Sequence, residues 1–388
     1  MTAGAWSRAT WISFGVITGI YLWAGVRAVG VVSRATVGFS VETIGHGDAE
    51  PSFSEGFVDH DTGRMVHVAS LSELSDGRLV AVWYSGSHEG SGDVALYLAT
   101  RGREKGAAWS QPHEVASPAS VARELHRPVG KVGNAVVFID GEGRLAMVFV
   151  TMPFGGWALS SLNVKLSADG GTSWLPAQRL TSSPLFNLGT LVKNKPLRLA
   201  DGSLLLPISH EFLGRFPGFL QLSSRDQTME VVAMRRLCGG RRFLQPAAVA
   251  LDAQTALALL RSARAGETIG VARSTDGGAS WSEPAPSHLP NPDAGLDAVA
   301  LSQGRVLLAF NDQRSGRSRL DLALSTDAGA NWSTVTTLED EPGAEFSYPF
   351  LLRGHDGSTH LVYTWKRSRL KDLTFNEAWI EGKLGRVP

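Results

Sequence analysis

Three copies of one eight-residue phrase restrict this chain more than anything else in it. They read Ser167-Ala-Asp169-Gly-Gly171-Thr-Ser-Trp174, Ser274-Thr-Asp276-Gly-Gly278-Ala-Ser-Trp281 and Ser325-Thr-Asp327-Ala-Gly329-Ala-Asn-Trp332. All fit Ser-x-Asp-x-Gly-x-x-Trp, and each follows an alternating, strand-like run at 162–166, 269–273 or 320–324. The Asp accepts backbone N–H bonds and closes a turn. The Gly supplies a conformation that a Cβ resists. The Trp returns to the sheet and covers the turn with a large apolar face. The phrase is therefore a staple across a β-hairpin, and its Asp residues read as structural. A fixed repeat of this kind decides architecture before any single residue does.

The interval from Trp174 to Trp281 is about twice that from Trp281 to Trp332, so one unit lacks a legible copy. Leu222-Ser-Ser-Arg-Asp226 is its expected remnant, and Gly102-Arg-Glu104-Lys-Gly106-Ala-Ala-Trp109 is a degenerate copy upstream. A second repeat runs between the staples. Asp76-Gly77-Arg78, Gly143-Arg144, Asp201-Gly202-Ser203, Gly304-Arg305 and Asp356-Gly357-Ser358 each lead into an apolar run, and a weaker turn precedes 255–260. Short strands at regular spacing behind Gly/Asp turns indicate an all-β protein. Six such units, repeated radially, predict a six-bladed β-propeller. Strands at 359–363 and 374–380 are expected to share a blade with the segment near 66–71 and so close the ring.

With 37 Lys plus Arg against 37 Asp plus Glu, the formal net charge is zero, and bulk electrostatics favour no nucleic-acid partner. The lone Cys238 excludes an intrachain disulfide, and there is no Cys/His zinc pattern, so neither metal nor cofactor is expected. Asp140-Gly-Glu142-Gly has too few carboxylates for a calcium loop. Residues 11–26 carry no charge, and with Arg27 snorkelling the stretch 11–32 is long enough for a bilayer span. We therefore read 1–33 as a hydrophobic helix serving as a membrane anchor, with a cleaved signal as the alternative. Residues 34–50 read as a linker and 51–388 as the propeller. The propeller is expected outside the cytoplasm, either tethered or secreted.

The staples resemble the Asp-boxes, or BNR repeats, of sialidases. The likeness extends to His67-Val-Ala-Ser-Leu, to Val82-Trp-Tyr-Ser-Gly-Ser-His-Glu89-Gly-Ser-Gly-Asp93, and to Leu206-Pro-Ile-Ser-His210-Glu211. It continues in Leu244-Gln245-Pro246, Leu289-Pro-Asn291-Pro, Phe346-Ser-Tyr348-Pro and Tyr363-Thr-Trp365. Over roughly 50–380 the chain resembles the bacterial predicted-neuraminidase group of the sialidase superfamily. The resemblance implies an exo-glycosidase releasing a terminal acidic sugar from a glycan, with a Tyr nucleophile, a carboxylate that takes the phenol proton, and Arg residues that hold the sugar carboxylate.

On that basis Tyr348 is the candidate nucleophile and Glu211 its carboxylate partner. Glu89 and Asp93, in a Gly/Ser-rich loop, are candidate general acids, and His67 is a further catalytic candidate. Lys131, Asn134, Lys193, Lys195, Arg242, Gln245, Arg261, Asn291, Asp297, Asn311 and Trp365 are candidate substrate-binding residues, with Arg314 a further choice for the Arg set. The Arg-Ile-Pro motif that sialidases carry ahead of the first Asp-box is absent. Two other readings therefore stay open: a lyase or other uronate-glycan enzyme on the same propeller, and a glycan-binding propeller without turnover. His67, Lys131, Asn134, Lys193, Gln245, Asp297 and Tyr348 recur near the first strand of successive units, and are expected to converge in one central pocket.

Overall fold

The computed structural model describes residues 38–41, 50–58, 61–182, 187–212 and 214–384. Its strands form six antiparallel sheets. Blade 1 comprises Met65–Glu73, Leu79–Gly86, Ala95–Arg101 and His113–Ala116. Blade 2 comprises Lys131–Ile139, Leu145–Met152, Ser161–Ser167 and Gln178–Arg179. Blade 3 has a divided first strand, Thr190–Val192 and Leu197–Arg198, then Leu204–His210, Phe216–Arg225 and Thr228–Arg236. Blade 4 comprises Phe243–Ala250, Ala256–Ser262, Glu267–Ser274 and Ala285–Asn291. Blade 5 comprises Asp297–Ala300, Val306–Phe310, Arg319–Ser325 and Ser333–Asp340. Blade 6 comprises Phe346–Arg353, Thr359–Trp365 and Arg369–Phe375. The first strands of successive blades touch in turn around an axis, and blade 6 returns to blade 1. The six-bladed, all-β reading therefore holds.

The closure differs from expectation. The strand that completes blade 6 is Phe53–Phe57, paired with Arg369–Phe375 from Phe53 opposite Phe375 to Phe57 opposite Lys371. The segment near 66–71 is instead the innermost strand of blade 1. Beyond Phe375 the chain forms helix Glu377–Leu384, so the expected strand through Ile380 ends early. The hydrophobic segment 11–32 lies outside the described residues. Among those residues no helix is long and apolar enough to cross a membrane. Residues 38–41, in the segment read as a linker, lie against blades 3 and 4: Phe39 N–H donates to Ala253 O, and Ser40 N–H to Arg198 O.

The Asp-boxes work as their chemistry requires. Ser173 N–H donates to Asp169 Oδ1 at 2.8 Å, Ser280 N–H to Asp276 at 2.9 Å, and Asn331 N–H to Asp327 at 2.8 Å. The boxes also join blades. A Cβ on Gly171, Gly278 or Gly329 would sit 2.8 Å from Leu98, 3.0 Å from Leu205 or 2.5 Å from Leu257, all in the preceding blade. Blade 3 has no box. Asp226 takes a left-handed φ of 52° in a tight hairpin with Arg225 opposite Thr228. The second strands are largely apolar because neighbouring blades bury both faces, and every residue of Leu145–Met152 is buried. Each Val or Leu so buried contributes roughly 1.5–3 kcal/mol.

One irregularity of the first strands positions the site. Their pairing to the second strand is interrupted between His67 and Ser70, Gly133 and Ala135, Leu244 and Ala247, and Ser347 and Phe350. In blade 3 the same interruption is Lys193–Pro196, between its two first-strand pieces. Val68, Gln245 and Tyr348 adopt φ of 49°, 48° and 52° there. Bulges of this kind re-aim side chains and sit beside functional sites. A β-branched Val at positive φ is strained and needs its surroundings to hold it. Thr364 Oγ1 does so, accepting from Val68 N–H at 3.1 Å.

Candidate active site

The bulges of blades 1, 4 and 6 bring His67, Gln245 and Tyr348 to one place. His67 stands perpendicular to the Tyr348 ring at 4.8 Å between centroids and to the Tyr84 ring at 5.7 Å. Arg261, at the end of Ala256–Ser262, donates through Nη1 to Gln245 Oε1 at 3.0 Å and to Tyr348 Oη at 3.4 Å. Its Nε donates to Asp293 at 2.7 Å. Arg317 lies 5.3 Å over the Tyr348 ring and pairs with Glu345 at 3.4 Å. Arg367 pairs with the same Glu345 at 3.1 Å and with Glu89 at 2.5 Å. Three guanidiniums, a phenol, a neutral imidazole and three carboxylates thus share one cluster.

Its electrostatics follow from burial and pairing. Burial, chiefly, and then Arg367 lower the His67 pKa to about 3, so the ring is neutral at ordinary pH. Burial works against the Arg261 charge, but Tyr348 and Asp293 together overcome it and raise its pKa. Burial also opposes ionisation of Glu345, yet the Ser347 hydroxyl and Arg367 win and hold its carboxyl below the ordinary value. Bonds from Ser91 and Ser87 hold the exposed Asp93 well below the carboxylate range. A group so held stays ionised and has no proton to donate, which weighs against the expectation of Asp93 as a general acid. Arg64 pairs with it at 2.7 Å.

Several residues expected at the site are engaged elsewhere. Glu211 faces Arg215 at 3.7 Å, while the carboxylate that Arg317 and Arg367 share in the Tyr348 cluster is Glu345. Arg242 is exposed and pairs with Glu267 at 3.4 Å. Asn291 is wholly buried and ties Ser262 N–H and Ala294 N–H to its Oδ1. Asn311 donates to Arg319 O and Phe346 O, and Asn134 to Val192 O. Lys195 and Asp297 pair with each other at 2.7 Å across the axis. Trp365 packs against Phe57 of the closing strand. Lys131 donates to Gly155 O at 3.5 Å beside the loop of Glu89 and Gly90. Lys193 lies beneath Tyr348, its Cε 3.4 Å from where a Cβ on Gly295 would stand and the Tyr348 ring 2.9 Å from the same point.

Sequence reasoning missed Arg317, Arg367, Asp293 and the role of Glu345. A signal for the two arginines was present. Arg317-Ser-Arg-Leu320 and Arg367-Ser-Arg-Leu370 are a second internal repeat, at the same hairpin of blades 5 and 6. Equivalent hairpins of adjacent blades deliver both guanidiniums to one carboxylate.

The buried histidines carry a consequence for stability. His67 in this cluster and His360 between blades 6 and 1 have pKa values lowered by burial to about 3 and about 4, from 6.5. A folded pKa below the unfolded one means that unfolding takes up protons in the interval. Their contribution is complete above pH 6.5 and is lost as pH falls toward 4, ahead of most carboxylates. The urea midpoint is expected to drop between pH 7 and 5, with a shallower drop in His360→Phe. A midpoint flat over that range removes the argument.

Three Asp-boxed blades thus stand in a closed ring of six, with arginines gathered around a tyrosine beside its axis. The sequence profile of the BNR repeat-like domain matches residues 77–361, and the chain belongs to that family. No curated protein matches it. Among solved structures it is similar to the Hadza microbial sialidase Hz136, at TM-score 0.67 and 17% identity over 82% of this chain and 68% of that one. It is similar to the leech intramolecular trans-sialidase, at TM-score 0.66 and 14% identity over 88% and 72%. A Dyadobacter fermentans protein of unknown function gives TM-score 0.66 and 14% identity over 84% and 100%.

Proposed function

We propose that this protein is a sialidase-like exo-glycosidase that releases a terminal acidic sugar from a glycan. The observation that carries the reading is the convergence of Arg261, Arg317 and Arg367 on Tyr348 and Glu345. Planar guanidinium forks match a carboxylate bidentately and suit a sugar acid better than a neutral sugar. In this reading Tyr348 attacks the sugar carbon that bears the carboxylate. Glu345, held ionised beside the guanidinium on the Tyr348 ring, takes the phenol proton, which an unaided Tyr releases only near pH 10. Glu89, on the loop that reaches Arg367, protonates the leaving oxygen as the glycosidic bond breaks, and water then hydrolyses the tyrosyl-sugar bond, freeing the acidic sugar and Tyr348. The solved neighbours named as sialidases and trans-sialidases support the reading through the fold they share with this chain.

The test is a panel of α-linked sialosides and uronate-containing glycans, wild type beside Arg317→Ala. Free acidic sugar is expected from the wild type, with kcat/KM lower by about tenfold or more in the variant, the worth of a charge-assisted hydrogen bond. An unsaturated uronate product would replace the hydrolase with a lyase, in which neutral His67 against Tyr348 becomes the proton-transfer pair. Glycan binding without product would make the protein a lectin-like propeller.

A further inference from the structure

Lys193 is a polar group buried in the axis that the chemistry above does not use. It is 2% exposed, and it leaves blade 3 at the interruption of the first strand. Its side chain crosses to the opposite wall. There Nζ donates to Leu296 O at 2.9 Å and to Pro349 O at 2.5 Å. Pro349 follows Tyr348, whose φ of 52° belongs to a left-handed conformation that a bulky residue resists. Leu296 follows Gly295, the glycine wedged between the Tyr348 ring and the Lys193 stem. A Cβ on Gly295 would stand 2.9 Å from the ring, closer than packed atoms allow. One ammonium therefore holds two carbonyls that flank the tyrosine: that of Pro349, one residue beyond Tyr348, and that of Leu296, one residue beyond the glycine that backs its ring.

We propose that Lys193 is the positioning residue for Tyr348, holding by its two carbonyl bonds the strained bulge that points the phenol into the cluster. Strain of this kind persists only where the surroundings over-determine it. A four-carbon stem carries a rotatable donor from blade 3 across to both carbonyls. The groups that face the amine are Asp297 from blade 5, Arg261 from blade 4, and Lys195 beside it. Burial lowers the Lys193 pKa to about 7; Asp297 opposes this and Lys195 and Arg261 reinforce it. Below pH 7 both bonds are charge-assisted; above it they weaken to ordinary ones. The grip on Tyr348 is thus tightest on the acid side of neutrality.

The inference rests on Tyr348 as the reacting group only for its effect on turnover, so two measurements are needed. The first needs no activity. Tyrosine labelled with 13C in the ring is incorporated, and the Tyr348 signal is assigned by its absence in Tyr348→Phe. In the wild type that signal is expected to shift with an inflection near pH 7, and in Lys193→Met the inflection disappears and the line broadens. The second is kinetic. Lys193→Met is expected to lose about 10²-fold in kcat, with KM changed less than about threefold, as misplacement of a reacting group does. A wild-type Tyr348 signal flat through pH 7 overturns the proposal whether or not Lys193→Met folds. A folded variant with an unchanged signal and unchanged kcat overturns it too. Absence of sugar release from the wild type defeats the glycosidase reading and leaves the spectroscopic result to decide the role of Lys193.

Discussion

Tyr348→Phe is expected to abolish release of acidic sugar, lowering kcat by at least about 10³-fold, while thermal unfolding stays where it was. The phenol hydroxyl makes one long bond, to Arg261 Nη1 at 3.4 Å. Everything else that fixes the ring is retained by phenylalanine: the perpendicular His67 ring, the face of Arg317, and the wedge of Gly295. Binding of a carboxylate-bearing sugar is retained as well, because the guanidiniums are untouched. The expected pattern is a collapsed kcat with an almost unaltered Kd. Equal turnover by wild type and variant would remove Tyr348 from the chemistry. A variant that loses binding and turnover together would make the hydroxyl a ligand for the sugar. The companion Glu345→Gln separates the roles further. It frees Arg317 and Arg367 from their shared carboxylate, so sugar binding strengthens while turnover falls.

How far the site was legible depends on the range of the interactions that make it. The Asp-boxes could be read because their chemistry is local: Asp276 meets Ser280, four residues on, and Gly278 supplies the left-handed turn. The six Gly/Asp turns that lead into apolar runs between them, equally local, gave the number of blades. The closing strand could not be read this way. Phe53–Phe57 is exposed along its length and has no alternation, and its partner Arg369–Phe375 lies at the far end of the chain. The bulges were half visible. Gln245-Pro246 and Tyr348-Pro349 each put a Pro inside an apolar run, where it belongs only at a bulge or an edge. The partner of Tyr348 was not visible. Glu211 follows a strand end as a catalytic carboxylate would, but no local rule distinguishes it from Glu345, which earns its place by meeting Arg317 and Arg367 from two other hairpins. Lys195 and Asp297 are sugar-binding residue types, and only the ring geometry reveals that they face each other.

That last pair carries the largest expected effect on stability. Asp297 is fully buried, and its Oδ2 accepts both Lys195 Nζ at 2.7 Å and Leu351 N–H at 2.8 Å. Lys195 comes from blade 3, Asp297 from blade 5 and Leu351 from blade 6, so one carboxylate oxygen ties three blades across the axis. Burial lowers the Lys195 pKa, with Asp297 pulling the other way. Asp297→Leu removes that opposition and leaves the ammonium without a counter-charge, bonded to Ala298 O at 2.9 Å beside the Phe350 ring 5.2 Å away. The expected loss is about 3–5 kcal/mol, because breaking one side of a buried pair leaves the other charge uncompensated. The double variant Asp297→Leu, Lys195→Met is expected to recover most of it. What remains is the unpaired Leu351 N–H, worth about 1–3 kcal/mol. Urea unfolding of wild type, both single variants and the double variant closes the cycle. The sign of the pH dependence gives an independent check. In Asp297→Leu the folded Lys195 binds its proton less tightly than the unfolded one, whose pKa is 10.5, so stability rises as pH increases toward that value. Wild type, with the pair intact, gains less over the same range. If the single and double variants unfold at the same urea concentration, the ammonium costs nothing in the shaft, and the pair is not what joins the three blades.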